Sequence, residues 1–244
     1  MIVAVAQLRS VHGDIEANIA RHQHFVQIAS SHQVQLIVFP ELSLTQYDPP
    51  YAKDVATSAA DPRFEQLQKA SDENRINICA GIPLQADGGI TISMLIFQPG
   101  KPVEIYTKQY LHVDEEPFFV PGVSQLPFSS VCDEIAFAIC YELSIPQHAQ
   151  AANDQGATTY IASVAKTHAG IEKAHQRLAT VAREHGMTVY LSNCIGPCEG
   201  RIGGGQSAIW NSQGHCILKM NDMQEGLIIY DPQSTDQRGE IIAV

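Results

Sequence analysis

Short apolar, β-branched runs alternate along the chain with longer stretches in which apolar residues return every three or four positions. The runs predict strands at about 2–8, 34–40, 76–82, 90–98 and 102–107. Between the early ones, Ile19, Phe25, Val26 and Ala29 mark a helix over about 17–32, with His22 and His24 expected on its solvent side. A second helix starts at Pro62, a residue suited to the first turn. The later part repeats the order, with strands near 134–140, 158–164, 188–194, 205–211, 215–219 and 226–230 and helices near 145–155 and 171–185. Two strand-and-helix units of this kind can each cover one sheet face with helices and bury the other faces together. The expected fold is therefore α/β (α+β), a four-layer α-β-β-α sandwich formed as one domain over 1–244.

Composition narrows the function classes. With 45% hydrophobic and 17% charged residues and a mean hydropathy of -0.07, the chain reads as a globular protein. Its apolar runs are far shorter than the roughly 20 residues that cross a bilayer. The start, MIVAVAQLRS, has neither the basic segment nor the long apolar core of an export signal, so a cytoplasmic location is expected. A net charge of -11, with Lys and Arg scattered, argues against a nucleic-acid partner. The six cysteines (79, 132, 140, 194, 198 and 216) are expected to be reduced, most of them as small core residues.

Three strand ends carry chemistry. In LIVFPELSLTQY, Pro40 cannot continue a strand ladder, so Glu41 opens a loop at a carboxyl end, where ligand sites gather in α/β sheets. It reads either as a general base or as a solvated loop carboxylate. Cys140 holds the equivalent place in FAICYELSIP. There Ser144, Pro146 and Gln147 suggest a capping box, and a helix start would favour thiolate. A buried core cysteine fits the same local pattern. Lys108 ends KPVEIYTK on the face shared with Glu104 and Tyr106, and reads either as a surface charge or as a partner of Asp114, Glu115 or Glu116.

Taken together, FPELSLTQY, YTKQYLHVDEEPFFVPG and FAICYELSIPQHAQAANDQGATTYIASVA resemble the nitrilase superfamily of carbon-nitrogen hydrolases, over nearly the whole chain. The resemblance implies Glu41 as general base, Lys108 as oxyanion stabiliser and Cys140 as nucleophile, with the Tyr141 backbone N–H as a second oxyanion donor. It implies Glu115 as the second glutamate, with Glu116 as the alternative. Tyr47, His112, Glu116, Glu142 and Lys166 are expected at the substrate. Neither metal nor organic cofactor is implied, and a homodimer paired through helical faces is. The expected reaction is hydrolysis of a small-molecule amide through a cysteine thioester, an ω-amide of a carboxylic acid being one reasonable substrate. An N-carbamoyl amine hydrolase, a nitrilase and a non-catalytic binding protein on the same fold are the alternatives.

Some positions depart from the family pattern. Glu142, Ser144, Ile145 and Gln147 replace the usual residues after the nucleophile, Gln46 replaces a glycine and Lys166 a common tryptophan. Cys194 and Cys198, even with His215 and Cys216 nearby, lack the second paired motif of a zinc site. GGGQSAIW lacks the lysine of a phosphate loop and reads as close backbone approach. A Cys-His dyad would leave the Glu41 and Lys108 segments unexplained.

Overall fold

The structure, a computed structural model, describes residues 1–123, 134–232 and 239–244, so Cys132 lies outside the described residues. The chain runs β1 (Val3–Gln7), α1 (Ile15–Ser31), β2 (Leu36–Val38), α2 (Ala52–Val55), α3 (Glu65–Asn74), β3 (Asn77–Ala86), β4 (Gly89–Phe97) and β5 (Glu104–Thr107). It continues through β6 (Ile135–Ile139), α4 (Pro146–Asp154), β7 (Thr159–Val164), α5 (His168–His185), β8 (Thr188–Asn193), β9 (Ile195–Cys198) and β10 (Arg201–Gly204). The last strands are β11 (Ala208–Trp210), β12 (Cys216–Lys219), β13 (Gly226–Tyr230) and β14 (Glu240–Ala243).

Two sheets form, one in the order β14-β13-β1-β2-β3-β4-β5 and the other β12-β11-β8-β7-β6, with β9 and β10 as a separate hairpin. Alternation along β1 shows how they stack. Val3 and Val5 join the core shared with Phe137, Ile139, Tyr160 and Leu191 of the second sheet, whereas Ala4 and Ala6 join the core beneath α1 and α3 with Ile19, Phe25 and Leu67. Ile171, Leu178 and Val181 of α5 and Ala149 and Ala152 of α4 close the opposite side. This is the expected α-β-β-α layering. Two hydroxyls tie the sheets across their interface, Ser163 Oγ donating to Phe39 O at 2.8 Å and Ser192 Oγ to Ala6 O at 2.7 Å. Among the described residues no helix is long and apolar enough to cross a membrane.

Local chemistry explains the element ends. Asp14 caps α1 by accepting from Ala17 N at 2.9 Å, and Gly186 ends α5 in a left-handed conformation (φ 66°). Several expectations need correction. β13 does not stay with the second half but pairs antiparallel with β1, covering an edge of the first sheet that would otherwise be open. β14, α2 and the β9-β10 hairpin were not anticipated, and the strand expected over 205–211 is shortened to Ala208–Trp210. His22 is fully buried rather than solvent-facing, because Nδ1 bonds Asn18 O at 2.7 Å and Nε2 bonds Ser43 Oγ at 2.9 Å. Ser144 forms no cap, since α4 starts at Pro146 behind an extended Ile145.

Candidate active site

Glu41 sits where β2 has ended and the chain turns sharply. Leu42 takes a left-handed φ of 50°, and the turn is laced to β3 through Leu44 N to Gly81 O at 3.0 Å and Gly81 N to Ser43 Oγ at 3.3 Å. The fit needs glycine at 81, because a Cβ there would lie 2.4 Å from Leu42 N and 2.9 Å from Pro40 O. His22 and Ser10 brace the same turn, the latter donating to Ser43 O at 2.7 Å. Gly81 escaped the sequence reading, although a lone glycine inside a strand is a signal of close backbone approach.

Lys108 continues past β5, its N–H still donating to Ile92 O at 2.9 Å, and its ammonium is fully buried between two carboxylates. Nζ donates to Glu41 Oε1 at 2.7 Å and to Glu115 Oε1 at 2.6 Å. Glu115 is held further by the Tyr47 hydroxyl at 2.8 Å and by His112 N, which donates to Oε2 at 2.8 Å. Gly122 N donates to Lys108 O at 2.8 Å and clips the following segment to the lysine's own backbone. Glu116 is exposed, so of the adjacent pair it is Glu115 that reaches the lysine. Burial pushes Lys108 toward losing its proton, but Glu41, Cys140 and Glu115 outweigh it and hold the ammonium charged.

Cys140 closes the cluster. It directly follows β6 in a left-handed conformation (φ 43°) and starts a 3-10 turn over Cys140–Ser144. Tyr141 N–H precedes the first hydrogen bond of that turn and so has no intrahelical acceptor. Burial first, and the charge of Glu41 second, push the thiol up to about 11, against the pull of Lys166 and Lys108. The expectation that a helix start favours thiolate is therefore corrected: desolvation wins and the resting sulfur holds its proton. Glu41 has its own proton affinity raised by burial, and its Oε2 is a buried oxygen without a hydrogen-bond partner among the described residues.

The residues expected at the substrate divide. Tyr47, His112 and Lys166 line a cavity of about 310 Å³ that contains Cys140, although the Tyr47 hydroxyl is committed to Glu115. His112 also packs edge-on against Tyr141, with centroids 5.2 Å apart. Lys166 is pinned by Asn193, whose Oδ1 accepts from Lys166 N at 2.8 Å and whose Nδ2 donates to Lys166 O at 3.0 Å. Glu142 is a correction. It is fully buried, with Oε1 accepting from Gln109 N at 2.7 Å and Oε2 from Ile139 N and the Tyr106 hydroxyl, each at 2.8 Å. It fastens the Cys140 turn to the strand that carries Lys108, and its bonds leave it turned to the protein rather than to a ligand. Cys198 is buried, its thiol directed at Ala165 O. No group of three or more His, Cys, Asp or Glu among the described residues is placed to hold a metal.

Comparison with known proteins gives the family and the fold. The family model for carbon-nitrogen hydrolases matches residues 2–238, and the chain belongs to that family. An amidase from Nesterenkonia sp. AN1, of the nitrilase superfamily, superposes with a TM-score of 0.87 at 23% identity, covering 97% of this chain and 94% of that one. One structure of that amidase carries acrylamide added at its active-site cysteine. Among curated relatives, the 2-oxoglutaramate amidase of Bacillus subtilis is 22% identical over 93% of this chain and 88% of its own length. The glutamine-dependent NAD(+) synthetase of Acinetobacter baylyi is 24% identical over 92% of this chain, which spans only 43% of that synthetase.

Proposed function

We propose that this carbon-nitrogen hydrolase is an amidase that cleaves small linear amides through a thioester on Cys140. The observation that carries the reading is the free, buried Oε2 of Glu41, on a carboxylate whose other oxygen is fixed by Lys108 at 2.7 Å, in the cluster that closes on Cys140. A neutral thiol needs a base, and this oxygen is the base with an unused acceptor. Glu41 takes the Sγ proton as sulfur adds to the amide carbon. The oxyanion is met by Lys108 Nζ and Tyr141 N–H, and a lost donor of this kind costs about 100- to 1,000-fold in rate. Glu41 then passes the proton to nitrogen, the C–N bond breaks and ammonia or an amine leaves. Water, deprotonated by Glu41, attacks the thioester; the acid departs and the sulfur recovers its proton. Glu115 touches neither sulfur nor carbonyl in this scheme and acts by holding Lys108.

The test is ammonia release from small amides, carbamoyl compounds and nitriles by the native protein and Cys140→Ala. Release from amides that vanishes in the variant supports the proposal. Carbon dioxide released alongside ammonia would replace it with an N-carbamoyl hydrolase, and acid formed from a nitrile with a nitrilase. A thiol that never turns over and alkylates no faster than Cys79 would replace it with a binding protein.

A further inference from the structure

Cys140 and Lys166 leave neighbouring strands at the same end. β6 and β7 run parallel with Ile139 opposite Ser163, so the nucleophile's turn and the Lys166 segment emerge side by side, and both residues line the cavity of about 310 Å³. The Lys166 backbone is clamped there. Besides its two bonds to Asn193, its carbonyl accepts from Gly204 N at 2.7 Å, and Thr167 bridges to Gly203. The aliphatic stem lies along Gly170, with Cδ 3.5 Å from where a Cβ on that glycine would stand, and the half-buried side chain ends at the Cys140 thiol, with which it forms a side-chain hydrogen bond. No carboxylate claims it: Lys166 forms no ion pair among the described residues, whereas a cation drawn out of water ordinarily takes one. Glu41 and Glu115 share the single ammonium of Lys108, so those three groups carry one net negative charge, and a thiolate formed against it is disfavoured. Lys166 cancels that charge. It pulls on the thiol's proton harder than Lys108 does, and Cys140 in turn is the group that most strengthens Lys166's hold on its own proton. Lys108, gripped by two carboxylates, is placed for oxygen, and Lys166 faces sulfur.

We propose that Lys166 is a further catalytic residue, a fixed hydrogen-bond donor to the Cys140 sulfur that stabilises its anionic form both when it attacks and when it is expelled. The inference rests on the amidase reading of the site and deepens it. In acylation the S–H bond breaks, the proton goes to Glu41 and the sulfur electron pair forms the C–S bond, with Lys166 lowering the cost of charge on sulfur before that bond is complete. In deacylation water gives its proton to Glu41 and its oxygen bonds to the carbonyl carbon. The C–S bond then breaks with its electron pair left on sulfur, and the Lys166 ammonium holds that thiolate until Glu41 returns the proton. Lys166 keeps its own proton throughout, because its affinity for it rises with each charge formed on sulfur.

Methyl methanethiosulfonate, a thiol reagent with no amide group for the site to bind, reads the sulfur without turnover. Its rate at Cys140, followed on that peptide by mass spectrometry at about pH 8, is expected to fall about tenfold in Lys166→Met and in Lys166→Gln and to recover most of the loss in Lys166→Arg. The bonds that clamp Lys166 are backbone bonds, which these substitutions keep, and two uncharged variants are used so that one that fails to fold leaves the other to decide. On the best amide, kcat should fall about 10- to 100-fold in both uncharged variants with KM within about twofold. A modification rate equal to native in a folded uncharged variant overturns the proposal, as does a KM that rises with kcat unchanged, which would assign Lys166 to the substrate. Slowed modification in a protein that hydrolyses no amide would retain the contact with sulfur and reject the amidase; amide hydrolysis with native modification rates in both variants would do the reverse.

Discussion

Replacing Gly81 by alanine adds one methyl group, set against the backbone of the Glu41 turn, and is expected to remove most of the activity. The new Cβ would stand 2.4 Å from Leu42 N, 2.9 Å from Pro40 O and 3.1 Å from Glu41 C. All three are backbone atoms, so no rotamer change relieves them. Carbon contacts settle near 3.5 Å, so the Glu41 turn or β3 must yield by about 1 Å. A displacement of that size in a catalytic group costs about 100-fold in rate, and overpacking of a tight core costs about 1–3 kcal/mol. In a chain of this size each kcal/mol lowers Tm by about 2–4 °C. The assay is kcat/KM on the best amide together with a thermal melt. If Gly81 acts through Glu41, adding Gly81→Ala to Glu41→Gln should cost little more than Glu41→Gln alone. Activity within about twofold of native, or full additivity with Glu41→Gln, would refute the argument.

Glu41→Gln should also change the thiol. Turnover should fall at least about 100-fold, while Cys140, relieved of the neighbouring negative charge, should titrate below its native value of about 11 and alkylate with iodoacetamide at lower pH; an unmoved inflection would contradict the proximity of the two groups. Lys108→Met leaves two buried carboxylates without their cation and should cost about 3–5 kcal/mol in urea unfolding. Without the cation, burial would hold the Glu41 proton more tightly folded than unfolded, so the variant's deficit should shrink in acid and grow as pH rises through the folded value. Gln46→Gly should raise Tm by about 2–4 °C with the rate unchanged, because Gln46 is held at φ 70° where a Cβ costs about 1 kcal/mol.

The strand ends were legible because proline, glycine and apolar runs report local structure: Pro40 stopped β2 and placed Glu41, and alternation put Tyr106 and Lys108 on one face, where both are buried. What stayed hidden depends on contacts between distant segments. The resemblance put Glu115 ahead of Glu116, but the contact itself comes from the packing of the turn after Lys108, which buries the first and exposes the second. The place of β13 beside β1 is a pairing across more than 200 residues, which no local pattern encodes. Glu142 looked like a ligand group because it closely follows Cys140, yet a five-residue 3-10 turn folds it back onto Ile139 N and the protein interior.

The same burial that keeps Cys140 protonated also makes the proposed proton transfer feasible. In water a thiol near 8.5 and a glutamate near 4.3 differ by about 4 units, or roughly 6 kcal/mol against moving the proton. Desolvation raises the proton affinity of both groups, so the gap is not set by burial of the thiol alone, and Glu41 has a buried oxygen on which to accept the proton. Moving the proton from Cys140 to Glu41 leaves the total charge of the site unchanged. The buried Lys108, fixed by Glu115 at 2.6 Å, therefore keeps a negative partner throughout: first Glu41, then sulfur, then the oxyanion. A site that transfers charge internally, with its cation already in place, avoids the solvent reorganisation that an exposed thiolate would demand.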